Sequence, residues 1–434
     1  MERDEKIDVG EPLAWLRLDE ALRRESYAPS GLVASRLAIE LCHRDGRIRE
    51  AALEQVAGDP GLLPLLVVRC GDWVGQVRDR ARELLAEALD MDTAVALAPL
   101  ILLSGRRGRG AFAIDLLDEV LRRASREQLA PLLTRADRAV RRHAHRLAVE
   151  EGLLSPAELA RAAARDPDTV VQILCADAAL AAVAKTGDYD GVLAPLLGAR
   201  NPRARATGVT ALRAAGLPER AEGFLADRSG VVRACARYVV RQGGGDPLAL
   251  YRAWCREAEP VPGAVIGLAE CGERRDAALL WPLVSHPAAA VRARALGGLR
   301  TLDVVDVPRL LPLLDDPAPG VVREATLALL PSADLVPDEW LTERLVDGPR
   351  AMRVAAFRLL DARGGIVRLR AAVTVLDDPD ERLRAWGAQV VQRWHPEAGM
   401  TPGDPEVGEL LGRARHLFSA YVLTRRLWEA GLSG

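Results

Sequence analysis

One pattern, Val-Arg-x-x-Ala, returns along this chain at nearly constant spacing, and no fold built around a single core calls for such a recurrence. Copies stand at Ile48-Arg49, Val77-Arg78, Val140-Arg141, Val232-Arg233, Val291-Arg292 and Met352-Arg353, with looser versions at Val171-Gln172, Ala204-Arg205 and Leu383-Arg384. From Arg49 to Arg384 there are 335 residues in eleven steps, a period of about 30 residues. The fullest unit is Val307 to Leu330. Its first half places leucines at 310, 311, 313 and 314, Asp315-Asp316-Pro317 makes a turn, and Val322, Ala325, Leu329 and Leu330 recur at helical spacing. The reading is helix, tight turn, helix. A pair this short cannot bury its own apolar faces and must stack on neighbours of the same kind.

Two further markers keep the phase. An acidic or amide residue occupies the turn, commonly six residues before the arginine, as in Asp72 and Arg78, Asp227 and Arg233, Asp347 and Arg353, and Asp378 and Arg384. Its side-chain oxygen can accept from the orphan amides that open the second helix, and a proline after it, as in Asp316-Pro317, fixes φ where no amide is needed. A Pro-Leu-Leu near the end of the first helix, at Pro131, Pro195 and Pro312, with variants at Pro64, Pro99 and Pro282, predicts bends there, because proline removes a helix hydrogen bond.

The proline, the turn aspartate and the arginine six residues on resemble the HEAT repeat in its short bacterial form, over roughly residues 30 to 395. That resemblance implies an all-α, right-handed α-solenoid of about twelve helical hairpins, second helices on the concave face. It also implies a ladder of aspartates and arginines between repeats. The residues assigned to it are Asp72, Arg78, Arg141, Asp227, Arg233, Arg292, Asp316, Arg323, Asp347, Arg353, Asp378 and Arg384. The array is expected over residues 44–395, with worn repeats near 104–124, where SGRRGRG forms the turn, and near 243–272. Capping helices are expected over 1–43, in Pro12–Arg24 and Gly31–Cys42, and over 396–434, where Pro405 to Trp428 offers Leu410, Leu411, Phe418, Tyr421, Val422, Leu427 and Trp428 to close the open end.

Charge narrows the function classes. Basic and acidic residues number 59 and 61, so no global field draws the chain to nucleic acid or an acidic membrane, and any such contact is local. All but Lys6 and Lys185 of the basic residues are arginine, which fits a genome rich in GC codons. The six cysteines never form a CxxC pair, so no zinc or iron–sulfur ligand spacing is present, and buried reduced thiols in a cytosol are expected. The amino terminus lacks an apolar targeting core, and the longest apolar run, Ala94–Leu103, is too short to span a bilayer. A cytoplasmic protein without membrane contact or cofactor is the expectation.

No GxSxG, HExxH or Cys/His constellation is present, so no catalytic residue is assigned. Two arginine clusters are the candidate contacts for an anion or partner. Arg106, Arg107 and Arg109 lie in the glycine-rich loop, where amides could approach a phosphate, although the order is not that of a P-loop and the loop follows a helix. Arg138, Arg142 and His143 open a second helix beside Arg141, His145 and Arg146; His143 and His145, two apart, point in different directions and cannot share a metal. The leading expectation is a non-catalytic scaffold that holds a protein or peptide in its concave groove, with the oligomeric state open. The alternative is a nucleic-acid-binding protein similar to the HEAT-like alkylpurine DNA glycosylases. Helper roles similar to phycobilin lyases rest on fold analogy alone, and the cysteines of epoxyqueuosine reductases are missing.

Overall fold

A computed structural model describes residues 12–24, 35–56, 59–397 and 400–432. Among these the secondary structure is α-helix and short 3-10 helix with no strand, so the chain is an all-α, helical-repeat-like protein. It divides into two compact units, Met1–Gly216 and Leu217–Gly434. The amino-terminal stretch 1–11 and the start of the expected Gly31–Cys42 helix lie outside the described residues; the described helix there is Arg36–Leu41.

In the first unit, helix Pro12–Arg24 precedes a series of helix pairs: Arg36–Leu41 with Gly46–Leu53, Leu63–Arg69 with Gly75–Ala88, Met91–Ser104 with Ala111–Arg122, Arg126–Leu133 with Arg138–Glu150, Pro156–Arg165 with Thr169–Thr186, and Leu193–Leu197 with Pro202–Ala214. Successive second helices touch, as do several successive first helices. The second unit repeats the plan, for example in Pro247–Trp254 with Pro262–Cys271 and in Asp338–Asp347 with Arg350–Arg363.

Each letter of the recurring pattern has a local cause. The residue before the arginine is buried in Val77, Val140, Val171, Ala204, Val232, Val291 and Leu383. Three residues after the arginine the first helix of the same pair crosses closely, so the position stays small: Ala52, Ala81, Ala144, Ala236, Ala295 and Ala356 are buried there. Where the crossing is tighter the residue is glycine. A Cβ on Gly208 would stand 2.8 Å from Leu196 Cβ, and one on Gly387 would stand 2.8 Å from the Ala372 carbonyl oxygen.

The prolines of the first elements fall in two kinds of place. Pro99 and Pro131 lie inside Met91–Ser104 and Arg126–Leu133. At Pro282 and Pro312 the first element instead changes from α to 3-10 helix, in Pro282–Ser285 and Leu311–Asp315, because a residue without an amide cannot continue the α-helical bond series. The carboxy-terminal segment is two helices, Pro405–Arg413 and Ala420–Glu429, joined through a 3-10 turn. Leu410 and Leu411 are buried, Phe418 and Leu427 are half-buried, and Tyr421, Val422 and Trp428 face solvent.

Helix Thr169–Thr186 alone among the described helices has the length and hydropathy of a membrane span. Its buried stripe, Val171, Cys175, Ala176, Ala179 and Val183, packs on helices Arg138–Glu150, Pro156–Arg165 and Pro202–Ala214.

Candidate functional site

The arginine of each pattern folds back on its own turn. From Nη1, Arg49, Arg141, Arg205, Arg292 and Arg384 each donate to two carbonyls five and six residues behind them, at 2.6–3.1 Å. Arg78, Arg233 and Arg353 each reach one such carbonyl, of Asp72, Asp227 and Gly348. Gln172 fills the same slot with its amide on the Asp166 carbonyl. The fixed spacing is therefore the reach of a guanidinium across the turn that opens its helix.

The turn carboxylates accept from their own turn, and several also take an arginine of the preceding pair. Asp72, Asp166, Asp227, Asp316 and Asp378 each accept from the amide two residues on, at 2.7–2.9 Å. Asp316 then receives Arg292 at two distances of 2.8 Å, and Asp378 receives Arg353 at 2.7 and 3.1 Å. Arg141 lies 3.3 Å from Asp166. Arg233 departs from this: Glu270, on helix Pro262–Cys271, takes it and Arg237 instead. Glu270 escaped sequence reading, although an arginine in phase followed by a turn without aspartate calls for some other carboxylate.

Arg323 and Asp347 do not belong to the ladder. Arg323 is one residue out of phase, its side chain 67 % exposed and paired with its neighbour Glu324. The slot six residues after Asp316 holds Val322, which is buried. With no guanidinium there, Asp347, among the described residues, takes no donor from the preceding pair and stays exposed. The valine doublet Val321-Val322 hides the slip, since a shift of one residue still reads as Val-Arg.

Of the predicted contact residues, Arg106, Arg138, Arg142 and His143 converge, with Arg146, on one groove of about 430 Å³ floored by Leu102, Val170 and Leu174. Their charges differ in availability. Arg142 grips Asp168 through Nε at 2.9 Å and Nη2 at 2.8 Å. Arg146 donates to His143 Nδ1 at 3.2 Å and lies 3.7 Å from Asp118 and 3.8 Å from Glu150. Arg106 and Arg138, among the described residues, make no ion pair.

His143 Nε2 lies 2.6 Å from Asp118 Oδ1. Burial lowers the His143 pKa and outweighs the pull of Asp118. The contact with Arg146 agrees with a neutral ring whose bare Nδ1 accepts, while Nε2 lies near the Asp118 carboxylate without the geometry of a hydrogen bond. Asp118 was missed in the sequence because it lies on a helix, Ala111–Arg122, that lacks the recurring pattern.

Asp168 caps helix Thr169–Thr186 through the Val170 and Val171 amides, and the hydrogen bond from Arg142, more than those amides, brings its carboxyl down to about 2. A depressed aspartate contributes stability that is complete above its ordinary value near 4 and is lost as pH falls through about 2. Acid titration followed by circular dichroism is expected to show this loss in the parent and a smaller loss over that window in Asp168→Asn; equal acid sensitivity would contradict the pairing.

The glycine-rich loop does not act as one cluster. Arg107 turns away from the groove to pair with Glu20 at 3.0 Å. Arg109 sits at φ 73, and the Arg82 guanidinium donates to its carbonyl at 3.4 Å. The glycines serve packing: a Cβ on Gly110 would stand 2.6 Å from Gly105 Cα, and one on Gly105 would stand 2.7 Å from Ile114 Cγ1. Trp281 lies under Arg309 at 3.8 Å, Trp386 meets Phe357 edge-on and Trp254 meets Tyr251 edge-on, all half-buried.

Cys42, Cys70, Cys175 and Cys255 are buried, which pushes each thiol up to about 12. Such thiols are poor nucleophiles at neutral pH. Among the described residues no three His, Cys, Asp or Glu side chains gather as a metal site would require.

No family model and no curated protein matches this chain. Among solved structures, an engineered protein aligns over 94 % of this chain and 94 % of its own at 17 % identity, with a TM-score of 0.19, a likeness too low to carry an argument.

Proposed function

We propose that the chain is a HEAT-type α-solenoid and a non-catalytic scaffold, and that the groove between helices Met91–Ser104, Arg138–Glu150 and Thr169–Thr186 holds an acidic, partly apolar segment of a partner protein. The observation that carries this reading is the division of labour in the groove. Arg106 and Arg138 are unpaired on its rim, whereas Arg142, Arg146 and His143 are already held by carboxylates. Two free guanidiniums above an apolar floor suit a short segment with a carboxylate on either side of an apolar residue.

One observation favours nucleic acid instead: four arginines converge on the same groove. Asp118, Glu150 and Asp168 oppose it, since a surface that tracks phosphates must present charge that is not already neutralised.

The test is a pair of titrations of the full chain at low salt, one with a fluorescent peptide of alternating glutamate and leucine, the other with duplex DNA. The scaffold reading expects saturable peptide binding that R106E/R138E loses, and weak DNA binding. Peptide binding unchanged by that double variant would overturn it; DNA binding that falls steeply with salt would establish the alternative.

A further inference from the structure

Apart from the groove, the first unit contains a partly open cavity of about 170 Å³ between helix Pro12–Arg24, the end of helix Leu63–Arg69 with its turn, and the loop Ser104–Gly110. Asp19, Arg23, Arg69 and Asp72 line it, and Arg49 stands behind Asp72 without lining it. Asp72 has a fully buried side chain and accepts from Arg49 at 2.7 and 3.0 Å, from Arg69 at 3.1 Å and from Arg23 at 3.1 Å. Asp19 takes Arg23 at 3.0 Å and also Arg69. Three guanidiniums thus share two carboxylates, and Arg49 and Arg69 are themselves fully buried.

A cation buried in excess is costly, and the usual relief is an anion. Arg69 shows the strain of its position, since burial lowers its pKa against the pull of Asp19. Among the described residues, two buried donors on the same wall have no hydrogen-bond partner: Arg69 Nε and the Ser104 hydroxyl. At the mouth stand Arg107 and Gly108, where nothing crowds the backbone, and the exposed ring of Trp73, over which Arg49 lies at 5.7 Å.

We infer that this cavity is a site for a small oxyanion of the phosphate class, held by Arg69 and Ser104 from within, with Arg107, which pairs with Glu20 at 3.0 Å, at the entrance. A cavity of this size admits such an ion together with water. A guanidinium and a hydroxyl are the donors that suit its oxygens. The site is separate from the basic groove and does not depend on the scaffold reading.

Calorimetric titration of the full-length protein with sodium phosphate, against sodium chloride at matched ionic strength, is the test. One saturable site per chain is expected, with a thermal midpoint that rises with phosphate concentration. Ser104→Ala should weaken binding about tenfold, the loss of one hydrogen bond to a charged group, and Arg107→Gln should weaken it too. Among the described residues Ser104 has no partner to lose, so its variant tests the site even if Arg69→Met, expected to abolish binding, fails to fold. Arg138→Gln, in the groove, should bind as the parent does. No response beyond that to chloride, full affinity in Ser104→Ala, or loss in Arg138→Gln would each overturn the assignment.

Discussion

Replacing Asp72 by Asn is expected to destabilise the Met1–Gly216 unit by about 3–5 kcal/mol, whereas the same change at Asp347 is expected to move stability by about 0.5 kcal/mol or less. By sequence the two aspartates are equivalent, each in a turn six residues before an arginine. Their surroundings differ in one respect: Asp72 answers three guanidiniums, two of them fully buried, and Asp347 answers none. Asparagine keeps the size and can still accept from the Val74 amide, so the change removes charge and little else. Arg23, Arg49 and Arg69 would then face Asp19 alone. Urea unfolding followed at helical wavelengths separates the cases, and because stacked repeats need not unfold together, hydrogen exchange in Pro12–Arg24 and Leu63–Arg69 gives the local reading. Equal stability for the two variants would mean that the buried guanidiniums are compensated by something other than Asp72.

That contrast also marks how far the sequence could be read. The helix pairs were legible because the arginine must reach carbonyls five or six residues behind it, a local demand that sets a fixed spacing around Arg49, Arg141 and Arg292. Whether a given turn carboxylate is occupied was not legible. Its partner comes from the preceding pair, and one residue of slippage, as at Val322-Arg323, empties the slot without erasing the pattern. The charge-rich cavity was hidden for a different reason. Asp19, Arg23 and Arg69 lie on first helices, or on the helix ahead of the series, where no recurrence draws attention to them. In the groove, the arginines could be found by composition, while the carboxylates that hold them, Asp118 and Asp168, are scattered over neighbouring pairs.

The second large effect concerns the stretch where the markers fade. Helix Pro262–Cys271 carries Gly263 and Gly267 one turn apart, and helix propensity alone would have Ala at either position gain about 1 kcal/mol. The opposite is expected at Gly263: Gly263→Ala should lose about 3 kcal/mol, because the added methyl lands on the backbone of the preceding turn, 2.6 Å from the Ala226 carbonyl carbon. That turn cannot retreat easily, since the Leu225 carbonyl accepts from the buried Tyr251 hydroxyl at 2.7 Å, and the Tyr251 ring in turn lies against Gly267, 2.5 Å from where a Cβ would be. Gly412→Ala is the control: this exposed glycine, near the end of helix Pro405–Arg413, has nothing within 4 Å of the new methyl and should gain about 0.5–1 kcal/mol. Thermal or urea midpoints moving in opposite directions would show that the glycines between 243 and 272 are there to let a helix approach the turn before it. Two variants that both gain stability would mean that the helix and the turn stand farther apart in solution.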